Sequence, residues 1–421
     1  MWLIHGKMYD LDAFMKHHPG GSLILESTRG EDATAAFESY HAMCDINKIR
    51  RIMEKYEVVN DKTISPTPFR FAVGEFYDVL RDQVADHFKY RGISHHANWV
   101  WVLKSIIQSG LFFISFILFC FGSEYSVFTR SLIAVFSSHM MLQVVFGVMH
   151  DSSHHAISTN PYVNELAASI WNTIALWDNR IWYKHHCFRH HSFVGTHDDP
   201  DTIHFKPFLL KSSSENPSRY MLYSTYVYFA FILNIFPGIW FGQMLAYVRG
   251  IKNGGMWRFK LPRRPTDWFE ITLRTTTVYC LLCSARTHII IPILFAISAN
   301  FWYSVCIIPD HDTFETEQNL VKDISNTDWG EVQVRNSGNF STDNPYTVNL
   351  FGGINYQIEH HLFPTICHIH LPEVAKIVRT ACAKYNIPYV SHPTIASAYL
   401  SAFKKFQYLA KNKPIVSNQQ K

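Results

Sequence analysis

Charge is scarce in this chain. Asp, Glu, Lys and Arg together make up 17% of its 421 residues, too little for an ordinary soluble protein whose length accommodates two domains. The net charge is only +4 and the basic residues are scattered, which leaves no footprint for nucleic acid. Cysteine is sparse as well. The eight thiols are widely spread and several fall inside apolar runs, a pattern of buried thiols in a reducing compartment rather than of a disulfide framework. The opening MWLIHGKMYD has no basic segment followed by an apolar one, so no cleaved signal peptide is expected and the N-terminus is expected to stay in the cytosol. Against these shortages stand 24 histidines and an aromatic content of 15%.

The chain divides into a polar head at residues 1–60, a linker with Pro66 and Pro68 within 61–97, and a membrane body at 98–421. The head reads as a small α+β unit: a short strand around Leu3, a Gly20-Gly21 turn and a helix in EDATAAFESYH. A helix crosses a bilayer with roughly 20 mostly apolar residues, and stretches 105–122 and 131–149 meet that requirement. The run at 220–248 is broken at Pro237-Gly238 and followed at 249–264 by six basic residues and no acidic one. Crossing there would place the most basic loop away from the cytosol, against the positive-inside bias. It is therefore read as a re-entrant or interfacial hairpin, with 268–283 and 289–308 as the third and fourth spans and a turn near Arg286. The alternative, a span at 220–248 with 268–283 lying on the surface, also leaves both termini cytosolic.

Histidine falls in three clusters, at 150–155, 185–191 and 357–361, and an even number of crossings between them puts all three at one cytosolic face. Residues four apart share a helix face, which pairs His150 with His154 in HDSSHH and His186 with His190 in HHCFRHH. In QIEHH the offsets of three and four place Gln357 with His360 and His361. A lone HxxxH is more often a satisfied surface pair than a ligand set. Three clusters on one face of a membrane protein are hard to read as solvated surface, and they point to a shared metal site. Neutral imidazole suits iron, copper or zinc, and the absence of clustered cysteine argues against thiolate ligation. Eight or nine histidines exceed the needs of one ion, so two are expected. In the head, His18 in KHHPGG and His41 after ATAAFESY come from opposing elements and can hold a haem iron axially, with Gly20 and Gly21 allowing the tight turn beside it. His17 is read as solvated.

The boxes HDSSHH, HHCFRHH and QIEHH, together with QVRNSGNF, DDPD and NYQIEHHLFPTICHIHLPEV, resemble those of membrane fatty acid desaturases. The Gln heading the third box and the cytochrome b5-like head resemble the front-end class with a fused cytochrome b5. The resemblance runs from about Trp2 to Pro393, and the head reads as N-terminally short of a full cytochrome b5 module. It implies an all-α multi-pass membrane domain, with about four transmembrane helices and a cytosolic helical cap carrying a di-iron site, plus a small α+β haem domain. It further implies O2 as oxidant, two nonhaem irons and haem b as cofactors, and a cis double bond introduced into an already unsaturated acyl-CoA or phospholipid acyl chain. NADH-cytochrome b5 reductase would supply the electrons, in the endoplasmic reticulum membrane.

Iron ligands are expected at His150, His154, His186, His190, His191, His360 and His361, with His155 added although its i+5 position turns away. His311 in PDH matches a further family position, and Gln357 is expected to participate. Carboxylates next to histidines, Asp151, Asp310, Asp312 and Glu359, are expected to orient ligand rings; hydrated loop is their plainer reading. Asp199 and Asp201 either serve the site or shape a turn. His95, His96, His139, His204, His288 and His392 are left as non-ligands, as is the Cys187 thiol, and Cys280 and Cys283 are read as small core residues. The same metal core would also suit a hydroxylase. A different class, a membrane-anchored haem electron carrier, predicts no nonhaem iron, and a transporter is disfavoured because the histidines lie outside the spans.

Overall fold

The computed structural model describes residues 1–59, 64, 66–204, 210–212, 267–321, 323–344 and 346–412. The expected hairpin at 220–248, the basic loop at 249–264 and the side chain of His204 lie outside these residues.

The head is built around a three-stranded sheet. β1 (Trp2–Ile4) and β2 (Lys7–Tyr9) form an antiparallel hairpin in which Trp2 faces Tyr9 and Ile4 faces Lys7. His5 and Gly6 turn it with φ of 49° and 73°. β3 (Glu57–Val58) closes on β2, bringing the far end of the head back to its start. Helices α1 (Ser22–Thr28), α2 (Thr34–Tyr40) and α3 (Ile46–Met53) surround the sheet, and Trp2, Ile4, Tyr9, Phe37 and Met53 form one buried cluster. The Trp2 indole N–H donates to the Leu25 carbonyl at 2.9 Å, so the largest apolar side chain enters the core with its polar atom satisfied.

Helix α4 (Phe76–Arg91) ends on Gly92 in the left-handed conformation, and α5 (Trp99–Phe121) starts from an Asn98 cap. α6 (Val127–Val144) continues without a break through a π-helical turn at Val145–His150 into Asp151–Ser153. After α7 (Pro161–Ile174), α8 (Asn179–Trp182) runs on through a second π-helical stretch, Tyr183–His190, and a last turn, His191–Phe193. α9 (Asp267–Ala285), α10 (Ile290–His311) and α11 (Trp329–Arg335) follow, then α12 (Gln357–Leu362), α13 (Leu371–Tyr385) and α14 (Ile395–Asn412). β4 (Asn339–Phe340) and β5 (Ser391–His392) pair in parallel.

Three helical stretches among the described residues are long and apolar enough to cross a bilayer: Trp99–Phe121, Val127–Ser153 and Ile290–Gln318. Four were expected. The helix expected at 268–283 is present as α9 and packs on α5, α7 and α10, but its composition falls short of a span. The reason is polar: Glu270 accepts from the Ser169 hydroxyl and Arg274 donates to the Trp177 carbonyl. α5 exposes Leu103, Ile106, Ile107, Ile114, Ile117 and Phe121 along one side while burying Phe112, Phe116 and Phe119. In lipid such burial adds little hydrophobic drive, so packing and hydrogen bonds hold the bundle. Gln108 meets Gln143 at 2.9 Å between α5 and α6. The buried Arg130 donates to the terminal carbonyls of Phe119 and Cys120 and to Thr287, closing the end of α5 that a helix otherwise leaves unpaired.

Two glycines set the approach to the third box. Gly352 and Gly353 have φ of 61° and 88°. A Cβ on Gly352 would lie 2.6 Å from the Gly147 nitrogen, and one on Gly353 would lie 2.2 Å from the His368 Cβ. Only a residue without a side chain lets this loop cross the backbone of the first box so closely.

Candidate metal centre

The π-helical stretch Tyr183–His190 covers most of the second histidine box, and the stretch Val145–His150 runs up to the first histidine of the first box. The sequence spacing assumes α-helix, in which residues three and four positions on share a face and the fifth turns away. A turn closed by i→i+5 bonds brings both i+4 and i+5 back toward i, and this lets His186 share a face with His190 and His191.

The histidines assemble into two groups whose ligand atoms lie within 4.8 Å of one another: His150, His154, His186, His191 and His360 in the first, His190, His311 and His361 in the second. His150 and His186 face each other through Nε2 at 3.0 Å, His191 and His360 at 3.1 Å, and His190 and His311 at 3.2 Å. Two nitrogens each about 2.1 Å from one ion and at right angles stand about 3.0 Å apart. The spacing therefore fits ligands around common ions. Gln357 lies beside the second group, with its amide nitrogen 2.9 Å from His311 Nε2 and its amide oxygen buried without a hydrogen-bond partner among the described residues.

The rear nitrogens are held. Asp199 meets His190 Nδ1 at 3.0 Å, Gln333 meets His361 Nδ1 at 3.0 Å, the Asn336 carbonyl meets His311 Nδ1 at 2.9 Å, and the Tyr40 hydroxyl meets His154 Nδ1 at 2.8 Å. Such partners fix the tautomer that leaves Nε2 a lone pair. The Nε2 atoms of His154 and His361 have no hydrogen-bond partner among the described residues. Burial, reinforced by neighbouring imidazoles, holds His154, His186, His191, His360 and His361 well below the usual histidine range, so these rings are neutral and able to ligate. For His190 burial acts in the same direction, but Asp199 and Asp201 outweigh it and its pKa is raised. Nitrogen donors with one amide and no thiolate suit a pair of iron ions; the Cys187 thiol instead faces the Ser153 carbonyl at 3.5 Å.

Several sequence expectations need correction. His155 stands outside both groups: the backbone turns to φ 58° there, and the ring packs edge-on to Tyr183. Asp151 serves His368 at 2.6 Å and the Trp101 indole at 3.1 Å rather than a box histidine. The Lys104 ammonium closes that network at 2.5 Å from His368, so Asp151, Cys367 and His368 form a satisfied hydrogen-bonded set. Glu359 accepts from Asn339 and Tyr389, each at 2.8 Å, and touches no ligand ring. The Asp310 carboxylate is buried without a hydrogen-bond partner among the described residues, while its backbone carbonyl accepts from the Gly338 N–H, and Asp312 binds Lys211 and Lys405. The groups that do orient rings include Tyr40, Gln333 and Asn336, to which the sequence reading gives no role. Gln333 and Asn336 lie in QVRNSGNF, but a contact made across the fold leaves no periodic signal.

In the head, His18 and His41 face each other with ring centres 6.1 Å apart, and imidazoles bound through Nε2 on opposite sides of one iron have centres about 6 Å apart. Their Nδ1 atoms are occupied by the Gly21 and Phe37 carbonyls at 2.9 and 2.8 Å. Burial lowers His18 to about 4 and lowers His41 as well, so both offer a neutral Nε2. The pair fits haem.

A mostly helical membrane protein with a histidine-lined metal site and an attached haem module is a redox enzyme by architecture. Residues 126–393 match the family model described as fatty acid desaturase, and residues 1–60 match that of the cytochrome b5-like heme/steroid binding domain. The chain belongs to the fatty acid desaturase family, and it is an oxidoreductase with haem and a di-iron centre as cofactors. It is 26% identical to an acyl-lipid (8-3)-desaturase of Physcomitrium patens, over 96% of this chain and 86% of that protein. It is 24% identical to a probable Delta(5) fatty acid desaturase C of Dictyostelium discoideum, over 95% and 90% respectively. An sn-1 linoleoyl-lipid 6-desaturase of a Synechocystis strain is 24% identical over 80% of this chain and 96% of its own length.

Proposed function

We propose that this protein is a front-end desaturase of lipid-linked acyl chains, introducing a cis double bond into a chain that is already unsaturated. Its relatives' names, acyl-lipid and Delta(5) desaturases, support this substrate class. The observation that carries the reading is the convergence of eight histidines and Gln357 into two adjacent ligand groups. One iron is assigned to His150, His154, His186, His191 and His360, the other to His190, His311, His361 and Gln357, and His155 is left out of both sets. Haem b is assigned to His18 and His41.

The iron pair supplies O2 activation, which no acid or base in the chain can replace for an unactivated methylene. The chain's own residues do the rest. Asp199, Gln333, Asn336 and Tyr40 hold the ring nitrogens so that the lone pairs converge, and burial of the site limits side reactions with water.

The finer topology belongs to the same proposal. α9 is taken as the fourth membrane helix because it packs beside α5 and α10. The metal-bearing ends of α6 and α10 are placed at the cytosolic face of the endoplasmic reticulum, where NADH-cytochrome b5 reductase would reduce the head. Expression in a yeast lacking polyunsaturates, with fed unsaturated fatty acids and mass-spectrometric location of new double bonds, tests the reading. A new cis bond between an existing one and the carboxyl end is the expected result. No new bond with any fed chain, in protein carrying haem and about two nonhaem irons, overturns it.

A further inference from the structure

We propose that Tyr40 is the bridge by which electrons pass from the haem module to the five-histidine group, an inference that rests on the haem and di-iron assignments above. Tyr40 directly precedes His41 in the chain. Its hydroxyl lies 2.8 Å from His154 Nδ1 and 3.1 Å from the Cys187 carbonyl. A phenol has one proton, and a carbonyl can only accept. The hydroxyl therefore donates to Cys187 and accepts from His154 Nδ1–H, leaving His154 Nε2 as the lone pair aimed at the metal. From His41 to His154 the path is covalent except for a single hydrogen bond, and the two aromatic rings lie near parallel, 6.1 Å apart at 29°.

The head is clamped in this position. Glu31 accepts from Lys184 at 2.9 Å and from Arg189 at 2.7 Å, both on the second-box helix, and the Lys184 ammonium also donates to the Ser27 carbonyl at the end of α1. Beside the His18 turn, Gly21 sits so close to α7 that a Cβ would come within 2.4 Å of Glu165 Oε1. These contacts join the head to the second-box helix and to α7, on the side where Tyr40 reaches in.

With haem held by His18 and His41 and iron held by the histidine groups, each transfer would move one electron from ferrous haem, leaving it ferric, to one ferric nonhaem ion, leaving that ion ferrous. Tyr40 keeps its O–H bond and undergoes no net oxidation. Two transfers supply the two electrons which, with two protons and the two substrate hydrogens, take O2 to two waters.

The test uses full-length protein loaded with haem and iron. In stopped flow, with wild type and variant matched for haem and nonhaem iron content, Tyr40→Phe is expected to slow haem reoxidation by the nonhaem iron about 10- to 100-fold at an unchanged haem midpoint potential. Single-turnover desaturation after direct chemical reduction of the nonhaem iron reads out any loss from the Tyr40–His154 hydrogen bond at the metal itself, and it should fall by a smaller factor than haem reoxidation does. A wild-type rate of haem reoxidation in Tyr40→Phe overturns the proposal. Should that variant lose either metal, Glu31→Arg tests the same contact with Tyr40 in place: opposing Lys184 and Arg189 should slow transfer comparably, and an unchanged rate overturns the bridge. If chemically reduced wild-type protein forms no double bond, the desaturase reading fails instead, independently of how fast the haem is reoxidised.

Discussion

The Gln357 side-chain amide lies 2.9 Å from His311 Nε2, joining the third box to the end of α10 at the position where a third histidine might have stood. Its oxygen and nitrogen can exchange places by a flip of the amide, and the oxygen then faces the metal group. Gln357→Ala should lower activity and occupancy of the second iron by about 10- to 100-fold, measured as nonhaem iron per chain and by Mössbauer spectra. Gln357→His with full activity and an unaltered iron spectrum would remove any special role for the amide.

Asp199 is the carboxylate that holds a predicted ligand ring, at 3.0 Å from His190 Nδ1. Asp199→Ala is expected to cost about 10- to 100-fold in activity, with weaker iron retention at the second group. Glu359→Gln, which keeps the hydrogen-bonding shape around Asn339 and Tyr389, should leave iron content near wild type. Equal losses in the two variants would contradict this division of roles.

Replacing His18 or His41 by Ala should abolish the Soret band while leaving about two nonhaem irons per chain. NADH-driven turnover should then fall to background, and single turnover after chemical reduction of the iron should survive. Loss of nonhaem iron together with haem would show that the head stabilises the metal-bearing helices, which Glu31 contacts through Lys184 and Arg189.

Acid should destabilise the pre-membrane segment. Burial, then the neighbouring His96 and His370, lowers His95 from 6.5 to about 4. A base with a depressed folded pKa binds protons in the unfolded state first, so stability is present above pH 6.5 and declines as pH falls toward about 4, by roughly 2–3 kcal/mol at most. The pH dependence of thermal unfolding should be shallower across that window in His95→Gln. An identical profile would assign the acid sensitivity to other groups.

Gly352→Ala should fail more severely than most core changes. Its Cβ would meet the Gly147 nitrogen at 2.6 Å, a backbone atom, and φ is positive as well. Loss of about 3 kcal/mol or more is expected, read as a lower Tm in detergent with loss of iron. A Tm within a degree or two of wild type would mean that this loop moves freely away from the first box.

Much of the candidate site was legible because its proposed ligands are local. Residues such as His150 and His154 sit four apart, and QIEHH holds three donors in five positions; helical spacing marks such sets whatever the fold. His311 was found through its resemblance to a family position rather than through periodicity. Carboxylate roles were misread for the same local reason. Asp151 and Glu359 each neighbour a ligand histidine in sequence, yet adjacent helical side chains point apart, and both serve residues elsewhere. Among the described residues three helices rather than four are long and apolar enough to cross, because Glu270 and Arg274 make α9 less apolar than α5, α6 or α10.

The sequence alone determined the division into a polar head and an apolar body, the histidine donors and the choice of nitrogen over thiolate, since all of these depend on residue type and short-range spacing. Only the tertiary structure decided the division of the histidines into two groups. It also decided that His155 lies apart, that Asp199, Gln333, Asn336 and Tyr40 hold the rings, and that the head reaches His154 through Tyr40. Those relationships join residues as far apart as His191 and His360, 169 positions from one another. They follow from π-helical turns, left-handed backbone at single residues and the packing of helices across the molecule, none of which a linear pattern encodes.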